Sequence, residues 1–291
     1  MPAFAHMWRS RACLEAGDLA GLDRHARQAW GLSEKVGSPY LRWNLISHFA
    51  HRAYLDGDLA EADRLAFECF AAGEGEPDAR PVLASQLIAF RAAQDRLGEM
   101  IPAAEQELAR RPELVAVELA LAWMYAQVGG RERRAKAGTI LDRHLADGFS
   151  GVRYDILWMQ VMAYAAETAA RVGHVVAAAD IADRLRPWAD QIVWSGTIAM
   201  GPVSWLLGLL ATTTGHADEA LARLEAARSL TPRAAVPLWL AHVAVAEAAA
   251  LRAVGDTAGA ARRAAQARAI AVRHGFAEIE RDLGRIEEGE R

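Results

Sequence analysis

The sequence predicts an all-α fold, an α-solenoid of about seven helix–turn–helix units that covers residues 1–291 as a single domain. Two observations support this prediction. Residues 201–232 have the pattern of one complete helix pair, and a glycine that marks a helix turn recurs about every 40 residues along the chain. The composition agrees with them, because 53% of the residues are hydrophobic, and these are largely alanine and leucine, which favour helices.

The helix pair at residues 201–232 explains why neighbouring units are needed. Pro202 can open the first helix, since a first-turn residue needs no amide proton, and Gly215 ends it. The second helix is predicted over residues 217–230, and Thr231 and Pro232 are expected to stop it. Each helix has one apolar stripe only, so a pair must stack on similar pairs to bury both stripes.

Seven glycines mark the predicted turns, at spacings of 40, 41, 32, 43, 42 and 40 residues. Alanine follows five residues after six of them, and Leu22 takes its place in the first copy. The third and fourth copies match least well, because Arg91 and Trp123 stand where the other copies have a small residue. The units are predicted to turn near Gly17, Gly57, Gly98, Gly130, Gly173, Gly215 and Gly255.

The unit with Gly208 at the helix crossing, Gly215 at the turn and Ala220 five residues later resembles a tetratricopeptide repeat (TPR). That resemblance implies a right-handed superhelix. The order of features from residues 147–158 through 201–208 to 237–241 is similar to the C-terminal helical-repeat region of large actinobacterial signalling ATPases. Those proteins carry adenylate/guanylate cyclase-type, winged-helix or LuxR-type output domains.

The resemblance implies a role in bacterial signal transduction or transcriptional regulation, as the sensor or scaffold arm of a multidomain ATPase. The ATPase itself is not expected in this sequence, because neither of the two lysines, Lys35 and Lys136, follows a glycine as a phosphate-binding loop requires. No nucleophile or dinucleotide motif is present. His48 and His51 share a helical face but lack further metal ligands. We therefore predict no enzymatic activity, no cofactor and no metal.

Charge and hydropathy exclude other classes. The net charge of −4, with both signs interspersed, argues against direct binding of nucleic acid. No run of about 18 apolar residues predicts a membrane span, and the first residues lack the features of a signal peptide. Cys13 and Cys69 have no metal-type spacing and are predicted as small core residues. A cytoplasmic location is the resulting expectation.

The TPR resemblance also yields candidate binding residues. In such a superhelix the first helix of each unit lines the concave face, at positions 13, 10, 6 and 3 residues before the turn glycine. The selected positions are Asn44, Ser47, His51, Tyr54, Gln160, Glu167, Trp205, Thr212, His242 and Arg252. The main hypothesis is a protein-interaction module that docks a protein or peptide partner, or its own upstream ATPase domain. The alternative is that these are merely solvated helix positions.

The longest predicted link, residues 187–201, is too apolar for an ordinary loop and is expected to fold back onto the helices. Trp188 and Trp194 would then fill a gap between helices. Alternatively the segment closes over the concave face near Trp205, and the chain is a small-molecule effector-binding sensor. An open furrow would favour a peptide, whereas an enclosed apolar pocket of roughly 300–1,000 Å³ would favour a ligand.

The two ends lead to different expectations. Residues 276–288 are predicted to form a capping helix, with its acids and arginines, including Glu278 and Asp282, on a polar outer face. At the other end, Phe4 and Trp8 are apolar without a polar complement. We therefore expect the first unit to pack against an upstream domain or a second copy of the chain. The sequence does not predict the oligomeric state.

Overall fold

The structure, a computed structural model, describes residues 2–234 and 236–288, with the side chains of 231–234 excepted. Within these residues it is all-α, as predicted, with fifteen α-helices, two short 3₁₀ helices (Leu97–Met100 and Arg186–Trp188) and one β-hairpin. The helices are α1 Pro2–Glu15, α2 Leu19–Val36, α3 Pro39–Leu55, α4 Leu59–Ala72, α5 Ala79–Ala93, α6 Ile101–Arg110, α7 Val115–Val128, α8 Arg131–Ala146, α9 Trp158–Val172, α10 Val175–Leu185, α11 Val203–Thr213, α12 Ala217–Ala234, α13 Pro237–Ala253, α14 Thr257–His274 and α15 Ala277–Glu288.

Tight turns join consecutive helices into pairs such as α1–α2, α3–α4, α11–α12 and α13–α14. Gly17, Gly57 and Gly255 have φ of 73°, 80° and 83°, the left-handed conformation that glycine adopts without a steric cost. The aspartate that follows each of them accepts a hydrogen bond from the backbone amide three residues later and so caps the next helix. The glycine–polar signature therefore ends one helix and starts another.

The third and fourth turns depart from this pattern. Gly98 lies inside a 3₁₀ helix, and Asp95, with φ of 56°, is the left-handed residue that follows α5. Aspartate tolerates this conformation better than most residues do. In the fourth turn Gly129 and Gly130 both have positive φ, 78° and 87°. The fully buried alanine after this turn is Ala137, not Ala135, which lies five residues after Gly130 and is exposed. The predicted turn at Gly98 is thus displaced by three residues.

The helices differ in how many of their faces are buried. In α7, α9, α11 and α13 most residues are buried, whereas α8, α10 and α14 each bury only four. The former helices form an inner layer and the latter an outer layer. Helix α12 continues to Ala234, so the predicted stop at Thr231 and Pro232 is wrong. A proline in the last turn removes only one backbone hydrogen bond of the helix.

Residues 192–202 form a hairpin of two antiparallel strands, β1 Ile192–Trp194 and β2 Ala199–Pro202. Val193, Trp194, Ile198 and Ala199 are buried, and the hairpin contacts α1, α9, α11, α12 and α13. A two-stranded hairpin is marginally stable alone, so these helices stabilise it. The expectation that this link folds back onto the helices is confirmed.

Helix α15 is not the polar cap that the sequence predicts. Its apolar residues Ile279 and Leu283 are fully buried as expected, but Glu278 and Asp282 are only 4% and 8% exposed. The reason is that α15 has neighbours on two sides, since it contacts α5 as well as α13 and α14. The prediction of a solvent-facing position is therefore wrong for these two acids.

Helix α1 buries Met7 and Leu14 but leaves Phe4 and Trp8 exposed, Trp8 to 56%. The guanidinium of Arg11 lies 4.8 Å from the Trp8 ring centroid. Packing of this face against another domain or a second copy stays a prediction. Across the described ranges, no helix is both long and apolar enough to cross a bilayer.

Candidate functional site

Four of the ten predicted binding residues meet at one place. Tyr54 of α3, Glu167 of α9, Trp205 of α11 and His242 of α13 line a small chamber of 40 Å³, which we call the central chamber. Helix α7, β2 and α15 contribute further walls. Residues almost 190 positions apart in sequence therefore share one site, at the positions before the turn glycines that the TPR resemblance selects.

The other six predicted residues lie elsewhere. Ser47 and Gln160 are buried and hydrogen-bonded, to Gln86 and Tyr164 respectively. Asn44 and Thr212 are half-buried, and Arg252 is exposed. The structure does not bring these five to the chamber.

His51 has a structural role next to the hairpin. Its Nε2 accepts a hydrogen bond of 3.0 Å from the Ala199 amide of β2, and its ring lies 5.3 Å from that of Trp194. Burial lowers the pKa of His51 well below its usual range, with smaller contributions from His48 and Arg52, so the ring is neutral and can accept. His51 therefore fixes the hairpin to α3.

Several chamber residues were not selected from the sequence. Gln127 lies three residues before Gly130, so the same spacing rule identifies it in the fourth unit. Trp123 and Tyr164 fall at other spacings, and Glu278 belongs to the helix that was predicted as a solvent-facing cap. No periodic signal in the sequence places Glu278 against α13.

Aromatic rings form two walls of the central chamber. The Trp205 indole stacks on the His242 ring, with centroids 5.0 Å apart and planes 9° apart, and Trp123 lies 5.0 Å from Tyr164. Whereas the Trp123 indole faces the Glu167 carboxylate, the indole nitrogen of Trp205 and Nδ1 of His242 are buried without a hydrogen-bond partner among the described residues. Such a group costs roughly 1–3 kcal/mol when nothing satisfies it. The chamber thus carries unused donors.

Two carboxylates face these donors. Gln127 Nε2 donates a 2.7 Å hydrogen bond to Glu167, and burial raises the pKa of Glu167 despite the nearby Arg171. His242 Nε2 lies 3.1 Å from Glu278 Oε1. Burial by itself would lower the pKa of His242, but Glu278, together with Glu167 and Asp282, outweighs burial and the pKa is raised.

Ion pairs hold α15 over the chamber. Arg171 of α9 forms a 2.6 Å pair with Asp282, and Arg281 pairs with Asp95 in the turn after α5. Arg285 Nη1 donates to the Gln127 carbonyl of α7 at 3.3 Å. Burial would raise the pKa of Asp282, yet Arg171 and Arg281 hold it well below its usual range. The contacts connect α15 to three elements that are more than 100 residues away.

We expect the His242–Glu278 pair to make stability depend on pH. The pKa of His242 is raised on folding, so its contribution is fully present below the unfolded pKa of about 6.5 and is lost as pH rises through the folded value. The free energy of unfolding should therefore fall more steeply between pH 6 and pH 9 in the native chain than in His242→Gln, by urea denaturation. The exposed His216→Gln should follow the native chain. Equal slopes for all three chains would contradict this.

The sequence matches no model of a known protein family, and no curated protein is found to be similar to it. The fold and the chamber define its class, an all-α protein of paired helices with a small chamber lined by aromatic, aliphatic and polar side chains. Within the residues that the structure describes, no three or more His, Cys, Asp or Glu side chains are grouped as a metal site.

Proposed function

We propose that this chain is a non-catalytic protein-interaction and regulatory module, built as a right-handed α-solenoid of TPR-like units. The turn geometry at Gly57 and Gly255 and the close crossing at Gly208 support TPR-like units. In this proposal the chain is the sensor or scaffold arm of a bacterial signalling ATPase or transcription regulator, as in the actinobacterial proteins that it resembles.

The observation that carries the proposal is the position of α15. In a solenoid of this kind the inner helices line a concave binding face, and α15 contacts α5, α7, α9 and α13 at once. Amphipathic helices bind grooves through apolar residues at helical spacing, and α15 supplies Ile279 and Leu283, with Phe276 just before its first residue. In this proposal α5, α7, α9 and α13 form a groove, which we call the groove of α15, and a helix of the chain itself occupies it.

The partner follows from this arrangement. A helix with the same apolar spacing, and a carboxylate opposite Arg171, would make the contacts that α15 makes. Such a segment, from a partner protein or an upstream domain, would compete with α15 for the groove. Because α15 belongs to the same chain, its effective concentration at the groove is high. A partner can bind only the fraction of molecules in which α15 has left the groove, which lowers the apparent affinity of the partner.

A peptide of residues 276–288 tests this proposal. We expect it to bind the full chain carrying Leu283→Asp, which puts a charge into the buried face of α15, roughly tenfold more tightly than the native chain. Fluorescence anisotropy of the labelled peptide measures both affinities. A peptide carrying Asp282→Lys should bind neither chain, because it places a positive charge opposite Arg171. If the Leu283→Asp chain keeps its helical circular dichroism spectrum but does not bind the native peptide, the proposal is overturned.

A second candidate is a small-molecule sensor in which the 187–201 segment closes the site. The unused donors of Trp205 and His242 favour it, since they suit a ligand with acceptor oxygens. The volume of 40 Å³ limits that ligand to a few non-hydrogen atoms, because drug-sized ligands need roughly 300–1,000 Å³. Failure of the peptide to bind a folded Leu283→Asp chain would favour this candidate over the first.

A further inference from the structure

A second cleft, of 180 Å³, opens beside the hairpin, and we call it the aromatic cleft. Residues of β1 line it, whereas Met200 of β2 lines the central chamber. Three rings form a triangle in its wall: Tyr154 lies 5.2 Å from Trp158 and 6.3 Å from Trp188, and the two indoles are 6.1 Å apart. Trp194 lines the cleft as well.

The charged residues of this cleft are all acidic. Glu15 and Asp155 line it, and no lysine, arginine or histidine does so among the described residues. Asp155 accepts a hydrogen bond from the Leu157 amide, but the side chain of Glu15 has no hydrogen bond or ion pair within the described part of the chain. Burial raises the pKa of Glu15. Glu15 is also the last residue of α1, where the helix dipole adds negative potential.

Ordinary packing does not account for this combination. Tyr154 is 72% exposed, so it is not a core residue, and its ring packs beside those of Trp158 and Trp188 in the wall of the cleft. Aromatic faces carry partial negative charge and attract cations within about 6 Å of the ring centre. Several faces together with unpaired carboxylates form an environment that favours a positive charge with an apolar surface.

We infer that the aromatic cleft binds a small quaternary ammonium compound of about the size of choline. A quaternary ammonium has methyl groups that pack on the rings and no N–H groups that need acceptors, whereas a primary ammonium is strongly hydrated. The inference does not depend on the function proposed above, because the aromatic cleft and the central chamber have no lining residue in common.

Choline and its neutral isostere 3,3-dimethylbutan-1-ol test this inference on the native chain by isothermal titration calorimetry. The two probes have the same shape and differ in the charge alone. We expect choline to bind and to quench tryptophan fluorescence, and the neutral alcohol to bind at least about fivefold more weakly. Equal affinities would show an unselective apolar cleft, and no heat from choline would show no site. Either result overturns the inference.

Variants locate the bound cation. Trp158→Leu and Trp188→Leu should each weaken choline binding roughly 3- to 30-fold, the range for losing one cation–π contact. Glu15→Gln should weaken it without changing the affinity for the neutral alcohol. Trp8→Leu, which removes an exposed tryptophan elsewhere on α1, is the matched control and should bind choline like the native chain. Binding that is lost in Trp8→Leu but kept in both cleft variants would place the cation elsewhere and overturn the inference.

Discussion

Replacing Asp282 with alanine is expected to lower the free energy of unfolding by about 3–5 kcal/mol, the usual cost of removing one partner from a buried ion pair. Asp282 is 8% exposed and pairs with Arg171 of α9, whose half-buried side chain would be left without its principal counter-charge. The same substitution removes contacts to Arg281. Urea denaturation followed by circular dichroism at pH 7 measures the change.

Asp180→Ala is the matched control, because Asp180 forms an ion pair of the same 2.6 Å length with Arg184 at about one-third exposure. An exposed pair is worth only about 0–1 kcal/mol, so this variant should be nearly neutral. The pKa of Asp282 is lowered on folding, hence its contribution is present above the unfolded value of about 3.9 and is lost as pH falls. The two variants should therefore differ at pH 7 and converge in acid. If both variants lose a similar free energy of unfolding at pH 7, the Asp282–Arg171 pair contributes no more than an exposed pair.

The double variant Arg171→Met with Asp282→Leu separates charge from packing. Replacing a buried ion pair by apolar side chains of similar volume is often neutral or stabilising, so the double variant should be more stable than Asp282→Ala. If the double variant is the less stable of the two, the pair contributes net stability beyond the avoidance of an uncompensated charge.

Replacing Gly208 with leucine is expected to lower the free energy of unfolding by about 1–3 kcal/mol, because the crossing of α11 and α12 has no room for a side chain. A Cβ atom at residue 208 would lie 2.6 Å from Leu224 Cγ, well inside contact distance. Ala220→Leu should have a similar cost, since Ala220 is fully buried at the same crossing. Thermal unfolding by circular dichroism measures both variants.

Gly138→Ala is the control for this crossing. Gly138 also lies inside a helix, α8, but a Cβ atom there would meet nothing within 4 Å. Alanine in a helix interior is favoured over glycine by roughly 0.5–1 kcal/mol, so this variant should be more stable than the native chain. Unchanged stability of Gly208→Leu and Ala220→Leu would mean that the crossing can relax at little cost.

The accuracy of the sequence analysis varied along the chain for local reasons. Turns with glycine followed by aspartate were found at the correct residues, because the left-handed glycine and the capping carboxylate act within four positions. The turn near Gly98 was displaced, since Asp95 can also adopt the left-handed conformation and no local rule decides between the two residues. The end of α12 was placed too early, because one proline near a helix end is a weak stop signal.

The candidate site could be predicted only in part. Tyr54, Glu167, Trp205 and His242 were found because they lie 3, 6, 10 and 13 residues before their turn glycines. These spacings fall on one face of a helix, and stacked helix pairs bring that face to the same side. Glu278 and Asp282 were misplaced, because a helical pattern of apolar residues shows which face is buried first and does not show whether a second neighbour covers the polar face.

By itself the sequence determined the class of fold, the helix pairs and most of their turns, because helical periodicity, capping and left-handed glycine act over a few residues. Only the tertiary structure decided what fills the centre. The contacts of Arg171 with Asp282 and of His51 with Ala199 join residues 111 and 148 positions apart. Contacts at that separation depend on how successive helix pairs stack on one another, and small differences in each crossing add up along the chain. A local sequence pattern therefore cannot predict which distant helix or hairpin packs at the centre of the fold.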